Sequence, residues 1–183
     1  MSGLTGWARA GAYAAVALTA IACGDLVNHD DERPRRSVPV AALYLDDGHP
    51  TVLLAPCEHT RVIEVTVVDN SAHKIWTAVD SDPADPATTV RVFAVPPGWT
   101  LEKHSAADFT ELTPGHDYRL FTSLYSLLES STRDSAPNFT FTPADLTALK
   151  PDQVWTVAGE SSPPQATPRT EFQRAASAAC GTP

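Results

Sequence analysis

The sequence predicts an all-β sandwich closed by a short C-terminal helix, and three observations carry that expectation. Short apolar runs separated by turn residues fill residues 38–160. One of them, 61–69, alternates with period two: Val62, Glu64 and Thr66 fall on one face, Ile63, Val65 and Val67 on the other. Sixteen prolines against nine glycines in 183 residues favour strands, turns and linkers over long helices. Nowhere do strand and helix patterns alternate in the way that builds a parallel sheet.

The first 22 residues stand apart from this pattern. Arg9 is the sole charge before an apolar stretch running from Ala10 to Ala22. At about 13 residues it suits the core of an export signal and falls short of the ~20 that a spanning helix needs. Ala20-Ile21-Ala22-Cys23 resembles a bacterial lipobox, with Ala20 where that pattern prefers Leu. The resemblance implies cleavage before Cys23 and a diacylglyceryl thioether on its sulfur, with palmitate-type chains at the extracytoplasmic face of the cell membrane. Two acyl chains suffice for stable anchoring. The alternative is ordinary cleavage nearby, which leaves Cys23 a free thiol.

Loss of Arg9 with the signal takes the formal net charge from −9 to −10. Such a surface repels phosphate backbones, and no basic cluster larger than Arg33, Arg35 and Arg36 interrupts it, so no nucleic-acid partner is expected. Residues 23–37 are polar and charged without an apolar period, as in a flexible tether.

The folded part is expected over residues 38–160. Segments 38–45 and 51–55 flank Asp46-Asp47-Gly48-His49-Pro50, where Asp-Gly favours a tight hairpin because both positions tolerate positive φ. Further strands are expected at 74–79, 88–95, 117–124, 138–142 and 153–158. Residues 126–137 read as a polar loop and 161–168 as a proline-rich linker. Residues 169–179 are the best helix candidate, within a C-terminal part, 161–183, that ends its helix at Cys180. With Cys23 assigned to lipid, Cys57 and Cys180 form a natural pair in an oxidising compartment; the alternative is two unpaired buried thiols.

Leu112-Thr113-Pro114-Gly115-His116-Asp117-Tyr118 resembles the L-x-P-G-x-x-Y pattern entering one strand of fibronectin type III and Ig-like domains. The resemblance implies a turn at Pro114 and Gly115 and a tyrosine corner: Tyr118 buries its ring while its hydroxyl bonds back to the turn. Leu149-Lys150-Pro151-Asp152-Gln153-Val154-Trp155 repeats the spacing with Trp155 in the aromatic place, a second turn of similar construction rather than a duplicated domain. The order of Val62–Val67, Trp76, Val95-Pro96-Pro97-Gly98-Trp99 and this corner resembles small lipoproteins of high-GC Gram-positive bacteria, as does the excess of Arg over Lys. That likeness implies fold and location and carries no activity.

Candidate chemistry is sparse. No G-x-S-x-G, S-x-x-K or Cys/His signature for nucleophilic catalysis is present, and the protein is not expected to be an enzyme or to hold a cofactor. Asp46, Asp47, His49, Cys57, Glu58 and His59 crowd one region, but lack the H-x-x-x-H or C-x-x-C spacing of a tight metal site. Asp80, Asp82 and Asp85 imitate a calcium-loop run without its glycine and distal glutamate, and read as a solvated acidic loop. Trp76 is expected in the core. Trp99, after Pro96-Pro97-Gly98, is the candidate binding residue: an anchor if exposed, a cap on the sandwich if not. The expected role is a monomeric, lipid-anchored interaction or accessory module with an envelope protein partner. The competing expectation is an extracytoplasmic small-ligand, metal or glycan-binding protein using the 46–59 and 96–104 loops.

Overall fold

The computed structural model describes residues 40–82, 87–127, 131–158 and 162–180. The segment expected to be an export signal, Cys23, the expected tether over 23–37 and Asp85 lie outside the described residues. Strands β1 (Ala41–Asp46) and β2 (His49–Leu54) make the first hairpin, closed by the Asp46–His49 pair. Asp47 (φ 48°) and Gly48 (φ 79°) are both left-handed, as a two-residue turn matched to strand twist requires. β3 (Thr60–Asp69) and β4 (Lys74–Asp80) form the next hairpin, followed by the three-residue strands β5 (Thr89–Arg91) and β6 (Trp99–Leu101). β7 (Tyr118–Ser126), β8 (Ser131–Phe141), α1 (Pro143–Thr147), β9 (Gln153–Thr156), β10 (Gln165–Pro168) and α2 (Arg169–Cys180) complete the order.

These strands build two antiparallel sheets, β10-β9-β1-β2-β5 and β6-β4-β3-β7-β8. Leu43, Val52 and Leu54 of the first sheet meet Val65, Val67, Trp76 and Leu120 of the second in one apolar core. Each such side chain contributes about 1.5–3 kcal/mol when fully buried.

The first sheet is buried on both faces. Ala42, Leu53 and Val154 point away from the sandwich and are covered by Phe172 of α2. Phe172 and Ala176, four residues apart, form the buried stripe of that helix. Two-sided burial explains why residues 40–45 read as a continuous apolar run instead of alternating. A disulfide joins Cys57 to Cys180 at a Cα–Cα distance of 5.3 Å across 123 residues, locking the end of α2 beside the start of β3. Closing so long a loop constrains the unfolded chain by about 5 kcal/mol in the entropic account.

Several elements differ from the sequence expectation. The 88–95 strand shortens to β5 because Phe93 takes φ 66° and turns the chain out of the sheet. Much of the 126–137 loop is strand: β7 runs to Ser126, β8 starts at Ser131, and the two ends pair. Pairing passes from Leu120–Phe139 to Thr122–Ser135, so Pro137 falls in the irregularity, where a missing N–H is tolerated. Half of the proline-rich 161–168 segment is β10, an edge strand pairing with β9, again a place that accepts proline. The unexpected helix α1 starts at a capping box. Thr142 accepts the Asp145 N–H and the Asp145 carboxylate accepts the Thr142 N–H, with Pro143 in the first turn.

Candidate functional site

A cleft of about 610 Å³ lies beside the β1–β2 hairpin, closed by residues 91–94, residues 110–112 and α1. Its apolar lining comes from Leu45 at the end of β1, Val92 and Phe93 after β5, Leu112 and Leu146. The α1 cap fixes Leu146, which is buried against the core. Residues 91–94 are held by backbone hydrogen bonds from Val92 N–H to the Pro50 carbonyl (2.9 Å) and from Ala94 N–H to the Arg91 carbonyl (3.2 Å). The left-handed backbone of Phe93 is rarely adopted by a bulky residue and stores on the order of 1–3 kcal/mol, which the surrounding packing must over-determine. His49, Arg91, Thr110 and Glu111 supply the polar rim.

An aromatic row runs inward from this cleft. The Phe93 ring lies 6.0 Å from Trp76 and 4.7 Å from Phe109; Phe109 lies 6.1 Å from Tyr118, which lies 5.4 Å from Phe141. Tyr118 is fully buried, and its hydroxyl accepts the Thr113 N–H at 2.7 Å. Gly115 carries φ 82° in the turn between them, and Leu112 packs half-buried against the core. Burial pushes the Tyr118 hydroxyl above its usual value, and the nearby Asp69 charge adds to the rise against the lowering effect of Thr113.

Asp69 is the buried charge at this end, 2% exposed. It shares inward parity with Val65 and Val67, and its Oδ1 accepts the Ser71 and Ala72 N–H groups in the β3–β4 turn. Its Oδ2 lies 2.8 Å from His116 Nδ1. The pair fastens the 113–117 loop to the end of β3, and Ser71 Oγ adds a second tie by accepting the Asp117 N–H at 3.2 Å.

The residues singled out in the sequence are spread over the molecule. Trp99 is buried at 6% exposure, so it is not an exposed anchor. Gly98 (φ 76°) turns the chain back onto β4, where its carbonyl accepts from Ser81 N–H and Oγ, and the Asp80–Trp99 pairing sends the indole inward. A Cβ on Gly98 would meet Asp82 Cβ at 3.0 Å, so the turn lies tight against its neighbour. Trp155 is half-buried and donates from Nε1 to the Thr140 carbonyl at 3.1 Å, reaching across to β8 instead of back to its own turn. His49 reaches the cleft rim, whereas His104 sits on the surface near Glu102. Among the described residues no group of three or more His, Cys, Asp or Glu is placed to hold a metal ion.

The cleft and the Asp69–His116 contact were absent from the sequence expectation. The period of β3 carries a signal for the second, because it places a charged side chain on the buried face. The cleft has none, since four separated segments assemble it. Comparisons with protein-family models, curated proteins and solved structures found no match.

Proposed function

We propose that this is an exported protein, held at the extracytoplasmic face of the cell membrane by lipid on Cys23, whose sandwich acts as a non-enzymatic interaction or accessory module of the envelope. The observation that carries the location is the Cys57–Cys180 disulfide, a linkage that persists in oxidising compartments. It uses two of the three cysteines and leaves Cys23, at the end of the apolar leader, for lipid.

Within the sandwich, an Ig-like or fibronectin type III-like arrangement is the finer reading. Its support is the neighbouring order β3-β7-β8, which would correspond to strands C, F and G. The order β1-β2-β5 would correspond to A, B and E, with the buried Tyr118 opening β7. A monomer is favoured by the edges: β5 and β6 have three residues each, and β8 and β10 carry Pro137 and Pro168. The test is crosslinking in intact cells with mass spectrometry of captured proteins, using Cys23→Ser as control. A reproducible partner lost in the control supports the accessory role; background capture alone counts against it.

The cleft favours a second reading, an extracytoplasmic small-ligand-binding protein. Its route is the 46–50 hairpin together with residues 91–94 and 110–112, not the 96–104 loop.

A further inference from the structure

We propose that the outward face of β3 and β7 is the docking surface for an envelope protein that presents acidic side chains among apolar ones; this rests on the accessory-module reading given above. Alternate residues of β7 point away from the core. Tyr118, Leu120 and Leu124 pack inward, so Arg119, Phe121, Ser123 and Tyr125 line the other face, and Leu127 continues the row just past the strand. The Leu127 N–H donates to the His59 carbonyl at 2.9 Å, which carries the alignment with β3 to that point. Leu127 is 55% exposed, and Phe121 and Tyr125 are half-buried. Both helices pack on strands of the first sheet, so among the described residues no helix covers this row.

Two arginines set the sign of the surface. Arg119 holds its guanidinium 5.8 Å from the centre of the Phe121 ring. Arg61, paired with Tyr125 across β3 and β7, holds its own 5.4 Å from the Tyr125 ring. Neither makes an ion pair among the described residues, whereas Lys74 pairs with Asp108 and Arg91 with Asp46. Arg61 Nε and Nη1 are shielded from solvent without a hydrogen-bond acceptor. Glu64 lies on the same face opposite Ser123, but its Oε1 accepts the Thr66 hydroxyl at 3.1 Å and it forms no ion pair with either arginine. A guanidinium lying on a ring keeps its planar fork in a fixed orientation, ready for a carboxylate. Arginine and aromatic side chains are also the commonest anchors of protein interfaces. In a chain of net charge −9, two such uncompensated cations select for acid on the partner. An anionic bilayer is a poorer match, because lipid surfaces are held by clusters of about 4–8 basic residues and would repel the rest of this chain.

The test is photo-crosslinking in intact cells making the full chain. The crosslinker p-benzoylphenylalanine is placed at Ser123, in the middle of the row, and at Glu171, exposed on α2, as the control. The expected result is one protein captured from Ser123 and not from Glu171, through a peptide that carries Asp or Glu. Arg61→Gln combined with Arg119→Gln should cut that capture about tenfold. Arg119→Glu alone, at an exposed position, should reduce it as well. Capture unchanged by these variants, an adduct to phospholipid or to a second copy of this chain, or capture from Glu171 as strong as from Ser123 overturns the proposal and leaves the accessory role standing. If neither position captures a protein, the proposal also falls, and crosslinking of the unsubstituted chain then decides whether the accessory role falls with it.

Discussion

Asp69 Oδ2 lies 2.8 Å from His116 Nδ1, and this contact between residues 47 apart ties the end of β3 to the loop that enters β7. Burial alone would push the Asp69 carboxyl up. The His116 hydrogen bond and charge, with the Ala72 and Ser71 N–H groups, outweigh burial and hold it below the ordinary 3.8. A depressed folded value means that the carboxylate's contribution is complete above the unfolded value and is lost as pH falls through the folded one. Asp69→Asn should be less stable near neutral pH by about 1–3 kcal/mol. It should also lose less stability than the parent in the acid window below 3.8. Urea unfolding across that range checks this; parallel pH curves for the two proteins would refute it.

Tyr118 has the opposite sign. Its hydroxyl is raised above 10.0, so its contribution is complete below that pH and declines as pH rises through the folded value. Tyr118→Phe should cost about 1–2 kcal/mol by removing the partner of the Thr113 N–H, and should flatten the alkaline decline. Tyr118→Ala should cost about 3–5 kcal/mol as a large buried aromatic. Chemical denaturation at neutral and alkaline pH separates the two effects, and an unchanged midpoint for Tyr118→Ala would show that the ring does not bear on stability.

The disulfide and Phe172 hold α2 in different ways. Replacing Cys57 and Cys180 together by Ala should lower stability by about 2–5 kcal/mol, mainly through a less constrained unfolded chain. Phe172→Ala should lower it by about 3–5 kcal/mol by emptying the site over Ala42, Leu53 and Val154. Thermal melts report both losses. Non-reducing peptide mapping should recover a Cys57–Cys180 linked pair, and two alkylatable thiols would exclude it.

What could be read from sequence is what short-range rules determine. The period of residues 61–69 marks β3 but misplaces Val62, which a register shift before Glu64 turns into the same core as Val65 and Val67; Asp47-Gly48 marks the hairpin because their left-handed backbone is a local preference. The Cys57–Cys180 pairing came from counting thiols, not from proximity in sequence. Long-range packing was hidden. The run from Val40 to Leu45 held a clue to two-sided burial, but nothing local says that α2 supplies the cover. Asp145 in place of the commoner Glu or Gln concealed the capping box of α1. The proline-glycine turn before Trp99 suggests exposure, yet strand pairing with Asp80, nineteen residues away in chain and decided by tertiary contact, turns it inward. The cleft depends on where four such segments meet, so its polar rim at Arg91 and Glu111 carried no motif.

Membrane attachment through Cys23 is tested most directly by intact mass analysis of the N-terminal peptide from the detergent phase of cells making the protein, beside the Cys23→Ser form. A mature chain beginning at Cys23 with the added mass of acyl chains, and release of Cys23→Ser from membranes, is the expected result. An unmodified Cys23, or a Cys23→Ser form that still needs detergent for extraction, would contradict the lipid anchor.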